Sequence, residues 1–301
     1  MCPELANAGM ITAIVVADFD NDKKTDLIIA GEWMPLLFFK NVDGHFKNVT
    51  LQTGLFNIDG MWRSLEATDI DKDGDIDFVA GNLGLNCRYH ITPDKPMWQY
   101  AKDLDGNGSI DPVIGYYIKD NTSDSKLYPA VSLNQFTEQV PSAKKKYLYY
   151  KDFAKVTMDD IFKLEEGEDS FLRMQCNEVH SCWFENIGNG KFTKHILPAE
   201  AQFTPVNSIV CTDIDNDGKV DLLLGGNEYQ AEVMTGRYDA SYGCYLKGDG
   251  KGNFLVVKPV VSGFVLKGDI RDMKIITILK NKRILLAAVN NDLMKAFGFN
   301  K

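Results

Sequence analysis

The chain has 301 residues, of which 45% are hydrophobic and 25% charged, and its formal net charge is −9. A chain of this length can bury a large core, and no apolar run reaches the roughly 18–20 residues that a membrane span needs. The acidic balance without a basic stripe argues against nucleic-acid binding, because the lysine run at residues 144–146 is one short solvated face.

The first predicted element is a pair of strands joined by an aspartate-rich loop. Residues 11–16 and 27–29 are short, β-branched apolar runs of the kind that form buried strands. Between them, residues 18–26 hold Asp at positions 1, 3, 5 and 9. We call this segment loop 1. The same pattern defines loops 2, 3 and 4 at residues 69–77, 103–111 and 213–221.

These loops have the chemistry of calcium sites. Several carboxylates within nine residues repel one another unless a cation lies among them. Side chains at positions 1, 3, 5 and 9, with the carbonyl of position 7, supply most of the six to eight oxygens that Ca²⁺ prefers. The alternative is a plain turn, because Asp, Asn and Gly favour turns, but four copies of one alternation favour the cation. The predicted ligands are Asp18, Asp20, Asp22, Lys24, Asp26, Asp69, Asp71, Asp73, Asp75, Asp77, Asp103, Asp105, Asn107, Ser109, Asp111, Asp213, Asp215, Asp217, Lys219 and Asp221.

The residues that follow each loop exclude an EF-hand. That motif needs a Glu at position 12 and a helix on either side. Position 12 holds Ile29, Ala80, Ile114 and Leu224, and each lies in or beside a short apolar run. Each loop is therefore predicted to join two strands.

A second repeated feature completes the predicted unit. Residues 41–46, 186–192 and 248–254 are Gly- and Asn-rich turns that follow aromatic strands and predict hairpins. One unit then consists of a strand, an Asp loop, a strand, a connector, a strand, a hairpin and a strand. Four antiparallel strands of this kind make a propeller blade.

The predicted fold is all-β, a β-propeller of four-stranded blades within one region spanning residues 1–301. The first blade covers about 11–50, the second starts near Met61 and includes loop 2 and Trp98, and the third begins at loop 3 and resumes at 171–197. The fourth covers about 206–257, and a degenerate unit without an Asp loop covers 269–297. Four to five blades are few for a closed ring, so we expect an arc of a larger propeller, with a small closed ring as the alternative.

The third blade is predicted to carry a helical insertion at about 119–167. Residues 132–140 and 157–164 have helical patterns, and Thr157 with Asp160 forms a capping-box signature. This insertion is expected to be a decorated connector rather than a ligand site.

The four loops, with residues 31–33 (Gly-Glu-Trp), 81–86 and 236–243, resemble the FG-GAP or VCBS repeats of integrin-α-type propellers. They are more closely similar to the bacterial secreted proteins of the ASPIC/UnbV class. The resemblance implies a calcium-loaded propeller on an exported, cell-surface protein that is usually longer, although no signal peptide precedes Cys2. Loop 1 departs from the pattern because Lys23 replaces Gly, and loop 3 because Asn107 replaces Asp, so loop 1 is expected to be the weakest of about four calcium sites.

The expected function is a binding or scaffold module for an unknown protein or glycan ligand, with missing blades or a partner chain completing the propeller. The candidate ligand surface is Glu228, Tyr229, Glu232, Arg237, Tyr238 and Asp239. An ion pair of Arg237 with Asp239 that only braces the connector is an equal alternative. The other function class is a propeller hydrolase or lyase acting on polysaccharides. The dispersed histidines and the lack of a nucleophile motif argue against an enzyme.

Overall fold

The computed structural model describes residues 2–119, 125–163, 171–278 and 282–299. The chain divides into two compact units. Unit 1 combines Met1–Arg88 with Val179–Lys301, and unit 2 is Tyr89–Glu178. Within the described ranges, no helix is long and apolar enough to cross a membrane.

Antiparallel strands dominate both units, which confirms the all-β class. In chain order the strands are β1 (Met10–Ala17), β2 (Asp26–Pro35), β3 (Leu37–Val42), β4 (His45–Asn48), β5 (Asp59–Met61), β6 (Ser64–Thr68), β7 (Asp77–Gly81), β8 (Met97–Lys102), β9 (Asp111–Lys119), β10 (Ser125–Pro129), β11 (Leu172–Cys176), β12 (Cys182–Asn186), β13 (Phe192–Ile196), β14 (Val206–Thr212), β15 (Asp221–Gly226), β16 (Cys244–Gly248), β17 (Phe254–Val257), β18 (Ile270–Ile278), β19 (Lys282–Val289) and β20 (Lys295–Gly298). The α-helices are α1 (Leu133–Gln139), α2 (Tyr150–Phe153), α3 (Met158–Phe162) and α4 (Pro259–Ser262).

The strands in the described part of unit 1 form four sheets. Sheet I has the order β1-β2-β3-β4, with β5 paired to β2, and sheet II has the order β13-β12-β7-β6. Sheet IV is β14-β15-β16-β17, and sheet V is the three-stranded β18-β19-β20. Sheets I, II and IV are blade-like, and sheets I and IV contain the strands predicted for the first and fourth blades. Trp98 of the predicted second blade instead lies in β8, outside sheet II. Closure into a ring stays a prediction.

The predicted third blade is assembled differently in the structure. Instead of joining loop 3, β12 pairs with β7 so that Phe184 lies opposite Phe78. Residues 182–196 therefore complete the sheet that loop 2 begins. The sequence favours the nearer partner because consecutive strands usually pair, and an apolar strand carries no local mark of which neighbour it joins.

Alternation along the strands explains how the sheets of unit 1 stack. Phe78 belongs to the core cluster that includes Phe38 of sheet I, whereas the next residue, Val79, belongs to the cluster that includes Leu222 and Leu224 of sheet IV. Leu223 points the other way, into the cluster shared with sheet V. Because successive side chains leave a strand on opposite faces, each central strand buries apolar groups on both sides.

Unit 2 is larger than the predicted insertion and has its own core. Its sheet III has the order β10-β9-β8-β11 and contains loop 3. Phe136, Phe153 and Phe162, from three different helices, pack with Tyr100 and Val113 of this sheet. The capping box at the start of α3 is confirmed: the Thr157 hydroxyl accepts from the Asp160 N–H at 3.3 Å, and the Asp160 carboxylate accepts from the Thr157 N–H at 2.8 Å.

The predicted helix over 132–140 corresponds to α1, which starts at a Ser132 cap and ends where Pro141 begins a short 3-10 helix. The predicted helix over 157–164 corresponds to α3, and residue 164 lies outside the described residues. The described residues also exclude residues 120–124 and 165–167 of the insertion and residues 279–281 of the degenerate unit.

Candidate metal-binding loops

Each aspartate-rich loop joins two antiparallel strands that pair with each other, as predicted. Loops 1, 2, 3 and 4 connect β1 to β2, β6 to β7, β8 to β9 and β14 to β15. Two residues of every loop, at positions 4 and 6, have positive φ. Gly occupies position 6 in loops 2 to 4, whereas loop 1 has Lys23 there with φ 67°.

The closing aspartate at position 9 is a buried cross-brace. Asp77 is 1% exposed, and its two oxygens accept from the N–H of Ile70 at 2.9 Å and of Asn186 at 2.8 Å. Asp26 and Asp221 accept equivalent bonds from position 2 of their own loop and from the third strand of their sheet. Position 9 therefore holds the loop against a neighbouring strand.

Burial of these closing carboxylates disfavours their charged form. Desolvation raises the pKa of Asp77 to about 6, although the Asn186 and Ile70 N–H groups act in the opposite direction. Burial also raises the pKa of Asp26 and Asp221. A bound cation would favour ionisation of all three groups.

The acids at positions 1 and 5 hold the turn itself. In loop 4, Asp213 accepts from the N–H of Asp217 at 3.1 Å and of Gly218 at 2.8 Å, and Asp217 accepts from Lys219 at 3.0 Å. In loop 3, N–H groups led by that of Gly108 lower the pKa of Asp103. The turn chemistry that was the alternative explanation for these residues is thus present in the structure.

Carboxylate oxygens nevertheless converge in all four loops. The atoms lie within 4.8 Å of one another in four groups: Asp18, Asp20 and Asp22; Asp69, Asp71 and Asp77; Asp103, Asp105 and Asp111; Asp213, Asp215 and Asp221. Asp26, Asp73, Asp75 and Asp217 lie outside these groups. Lys24, Asp75, Ser109 and Lys219 donate their N–H to position 5, and a ligand role for their carbonyls, like that of Asn107, stays a prediction.

Loop 3 fits an oxygen-bound dication. Among the described residues, Asp105 Oδ1 is buried and has no hydrogen-bond partner. Such an atom is costly unless something satisfies it. It belongs to the converging group that also contains Asp103 and Asp111. An all-oxygen group of this kind suits Ca²⁺.

Loops 1 and 4 already contain a cation. The Lys40 ammonium bonds Asp20 Oδ2 and lies 3.0 Å from Asp22 Oδ2. Lys247 bonds Asp215 Oδ2 and lies 3.2 Å from Asp217 Oδ2. These acids raise the pKa of both lysines, chiefly through the bonds to Asp20 and Asp215. Neither lysine is predicted from the sequence to contact a loop, although each directly precedes a predicted hairpin turn.

Comparison with known proteins bears on the first two of these loops. Residues 7–80 match the FG-GAP-like repeat family. The segment includes β1 to β6, nearly all of β7, and loops 1 and 2, and the match confirms the FG-GAP part of the resemblance. Membership of the ASPIC/UnbV class stays a prediction.

Curated proteins and solved structures add little to this family match. No curated protein matches the sequence. Among solved structures 17 chains match. One is the V. cholerae biofilm matrix protein Bap1, with a TM-score of 0.26 and 9% identity over 92% of this chain and 60% of that one. The chain thus spans less than two thirds of the length of the Bap1 chain.

Beyond the FG-GAP-like repeat, the structure draws most of the candidate ligand surface together. Glu228 and Tyr238 exchange backbone hydrogen bonds at 2.8 and 3.0 Å, and the Arg237 guanidinium lies 3.8 Å from the centre of the Tyr229 ring. Arg237 Nε is 3.9 Å from Asp239, and both side chains are more than half exposed. Glu232 accepts from the Thr235 N–H at 3.1 Å. The segment is internally braced, and ligand binding there stays a prediction.

An ionic bridge that the sequence analysis missed joins three sheets of unit 1. Arg63, just before β6, lies 3.2 Å from Glu32 of β2 and 3.0 Å from Glu228, just after β15. Arg63 lines a cavity of about 600 Å³, to which β1, β6, β14 and β18 contribute residues. Glu228 of the candidate surface therefore also fastens one sheet to its neighbours.

Proposed function

We propose that the chain is a calcium-stabilised, propeller-type repeat scaffold that acts as an extracellular or cell-surface binding module. The observation that carries the proposal is the converging carboxylate group of loop 3, in which one buried oxygen of Asp105 lacks a partner. Loop 2, inside the FG-GAP-like repeat, presents the same arrangement through Asp69, Asp71 and Asp77.

A cation bound at loop 2 would neutralise Asp71 and Asp77, whose charged forms burial disfavours. The residues that would hold it are Asp103, Asp105 and Asp111 in loop 3 and Asp69, Asp71 and Asp77 in loop 2. The effect would spread beyond loop 2, because Asn186, which bonds Asp77, also donates its side-chain amide to the Phe19 carbonyl of loop 1 at 2.8 Å. Stabilising loop 2 would therefore stabilise the junction of sheets I and II.

We propose the extracellular location because of the calcium affinity that is expected of these loops. Oxygen sites of modest affinity, with dissociation constants of roughly 0.1–1 mM, belong to extracellular modules and are filled at extracellular calcium levels. A short loop that already satisfies many of its carboxylates with its own N–H groups gains less from the ion than an unsatisfied cage would. Such a loop suits this weaker class.

The partner is proposed to be a protein or a glycan that binds at the segment containing Tyr229 and Arg237. The stacked guanidinium and ring present an exposed cation and an aromatic face, which suit acidic or sugar groups. Neighbouring Val233 is 92% exposed and adds apolar surface. Immobilised protein, with an R237M/Y229A variant as the control, would be tested against surface-protein extracts and a glycan panel. Equal retention by both proteins would contradict this site.

The calcium proposal is tested by removing and restoring the ion. Chelator-stripped protein should melt at a lower temperature than protein in 2 mM Ca²⁺, because a two- to twentyfold excess over a Kd of roughly 0.1–1 mM adds about 0.6–1.8 kcal/mol of stability per site. D105N should lose the loop 3 share of this gain, whereas D94N, a change of equal charge at an exposed turn of unit 2, should keep it. No calcium uptake by calorimetry and no change in Tm would overturn the proposal.

A further inference from the structure

The three blade-like sheets of unit 1 place one side chain directly across from the closing aspartate of each loop. In register, Leu27 pairs with Phe39, Phe78 with Phe184 and Leu222 with Leu246. One step toward the loop, the residues facing Asp26, Asp77 and Asp221 are therefore Lys40, Glu185 and Lys247. We call this site in the third strand the opposing position.

The opposing position is geometrically equivalent in the three sheets. The residue that follows it donates its N–H to Oδ1 of the closing aspartate in each case, at 2.7 Å from Asn41, 2.8 Å from Asn186 and 2.9 Å from Gly248. The three sheets therefore share the backbone geometry at this position and differ in the side chain that they place there.

The charge at the opposing position divides the loops. In sheets I and IV it is a lysine whose ammonium contacts the carboxylates at positions 3 and 5. In sheet II it is Glu185, whose negative charge contributes to the raised pKa of Asp71 after burial and which pairs with His195 at 2.7 Å. Loop 2 therefore receives an added acid where loops 1 and 4 receive a base.

An ammonium and a dication cannot share these oxygens. Calcium would lie 2.3–2.6 Å from its ligands. A lysine nitrogen about 3 Å from the same two carboxylates would then be close to the ion and would repel it strongly. Replacement of the Lys40 ammonium by another cation is disfavoured at this contact, because the Lys40 side chain is 31% exposed and the Asp20 side chain is 13% exposed.

We propose that Lys40 and Lys247 are built-in counter-cations that close loops 1 and 4 in place of a metal ion. The two loops then keep their folded form without calcium, whereas loops 2 and 3 depend on it. The contrast with loops 2 and 3 rests on the proposed function, but the role of the lysines does not. One feature of loop 1 opposes the assignment: Asp20 Oδ1 is buried without a hydrogen-bond partner in the described structure.

Hydrogen exchange resolved by peptide tests the proposal on the full chain, in 2 mM Ca²⁺ and in chelator. In the wild type, peptides of loop 4 should exchange equally under both conditions, and peptides of loop 1, which Asn186 links to loop 2, should respond to chelator less than those of loop 2. K40M should speed exchange at loop 1, and K247M at loop 4, roughly two- to fivefold in chelator, the scale of a partly exposed ion pair. Methionine keeps the length of the side chain and removes its charge.

Matched controls isolate the contact from the charge. K47M removes an exposed lysine of β4 that lies in register with Lys40, and K251M removes an exposed lysine on the hairpin after β16. Both should leave loop exchange unchanged. A chelator response at loop 4 of the wild type, or one at loop 1 as large as that at loop 2, would overturn the proposal. So would K40M and K247M without effect on their own loops, or controls that match them. Chelator-insensitive loops 2 and 3 would contradict only the calcium function, because the lysine variants still decide this inference.

Discussion

The backbone N–H of Asn186 donates to Asp77 Oδ1 at 2.8 Å across a sequence separation of 109 residues. The Asn186 side chain, which is buried, also donates to the carbonyls of Phe19 at 2.8 Å and Ile76 at 3.1 Å. One residue thus satisfies polar groups of loops 1 and 2 and fixes the third strand of sheet II against both. It therefore connects β12 to two loops that lie more than 100 residues earlier in the sequence.

Replacement of Asn186 by alanine should therefore be costly. The backbone bond to Asp77 remains in N186A, but two buried carbonyls lose their donor, at about 1–3 kcal/mol each. We expect a loss of roughly 2–4 kcal/mol in the free energy of unfolding, measured by urea denaturation. N134A, at an exposed position of α1, should cost under about 0.5 kcal/mol. Equal stability of the two variants would show that Asn186 does not brace the loops.

Acid should stabilise the metal-free protein over a defined range of pH. Burial raises the pKa of Asp77 to about 6, above the unfolded value of roughly 3.9. Between these values the folded state binds more protons than the unfolded state, so the free energy of unfolding falls as pH rises. Asp26 and Asp221 contribute in the same direction.

Urea unfolding in chelator at pH 7, 6 and 5 measures this dependence. Stability should increase at each step toward pH 5, and D77N should reduce the slope because it removes the carboxyl group whose pKa burial raises to about 6. The slope is the readout, since the amide also alters the hydrogen bonds of position 9 and lowers stability at every pH. A D77N slope as steep as that of the wild type would assign the dependence to other groups.

Loop 1 should gain stability from a glycine at position 6. Lys23 has φ 67° and is exposed, and loops 2, 3 and 4 have glycine at this position. A left-handed conformation costs a non-glycine residue roughly 1–2 kcal/mol, part of which the greater unfolded-state entropy of glycine offsets. K23G should therefore raise the free energy of unfolding by up to about 1 kcal/mol. K23A separates backbone strain from charge: a gain equal to that of K23G would mean that the lysine charge, not φ, is unfavourable.

The sequence predicts what is encoded locally. The Asp alternation and the apolar runs beside it are sufficient to place all four loops between strands, because a nine-residue turn is built from its own side chains and N–H groups. The pairing of β7 with β12 is not predictable in this way, since the two strands lie about 100 residues apart in the sequence and neither carries a local mark of the other. Lys40 and Lys247 are missed for a related reason: their role arises only when the third strand lies beside the loop.

Replacement of Arg63 should lower the stability of unit 1. Its guanidinium contacts Glu32 and Glu228, and the three side chains are only 18–22% exposed. R63M would keep much of the apolar stem but leave two partly buried carboxylates without their cation. Breaking a buried pair costs 3–5 kcal/mol and an exposed one under about 1 kcal/mol, so we expect roughly 1–3 kcal/mol here.

R237M provides the control for R63M, because Arg237 and Asp239 are 55% and 59% exposed and lie 3.9 Å apart. It should change the free energy of unfolding by less than about 0.5 kcal/mol. R63K should recover part of the loss, since one ammonium can satisfy one carboxylate but does not reproduce the fork of donors that reaches both. If R63M unfolds at the same urea concentration as R237M, sheets I, II and IV are held together by their apolar clusters alone, and the bridge from Glu32 through Arg63 to Glu228 contributes nothing measurable.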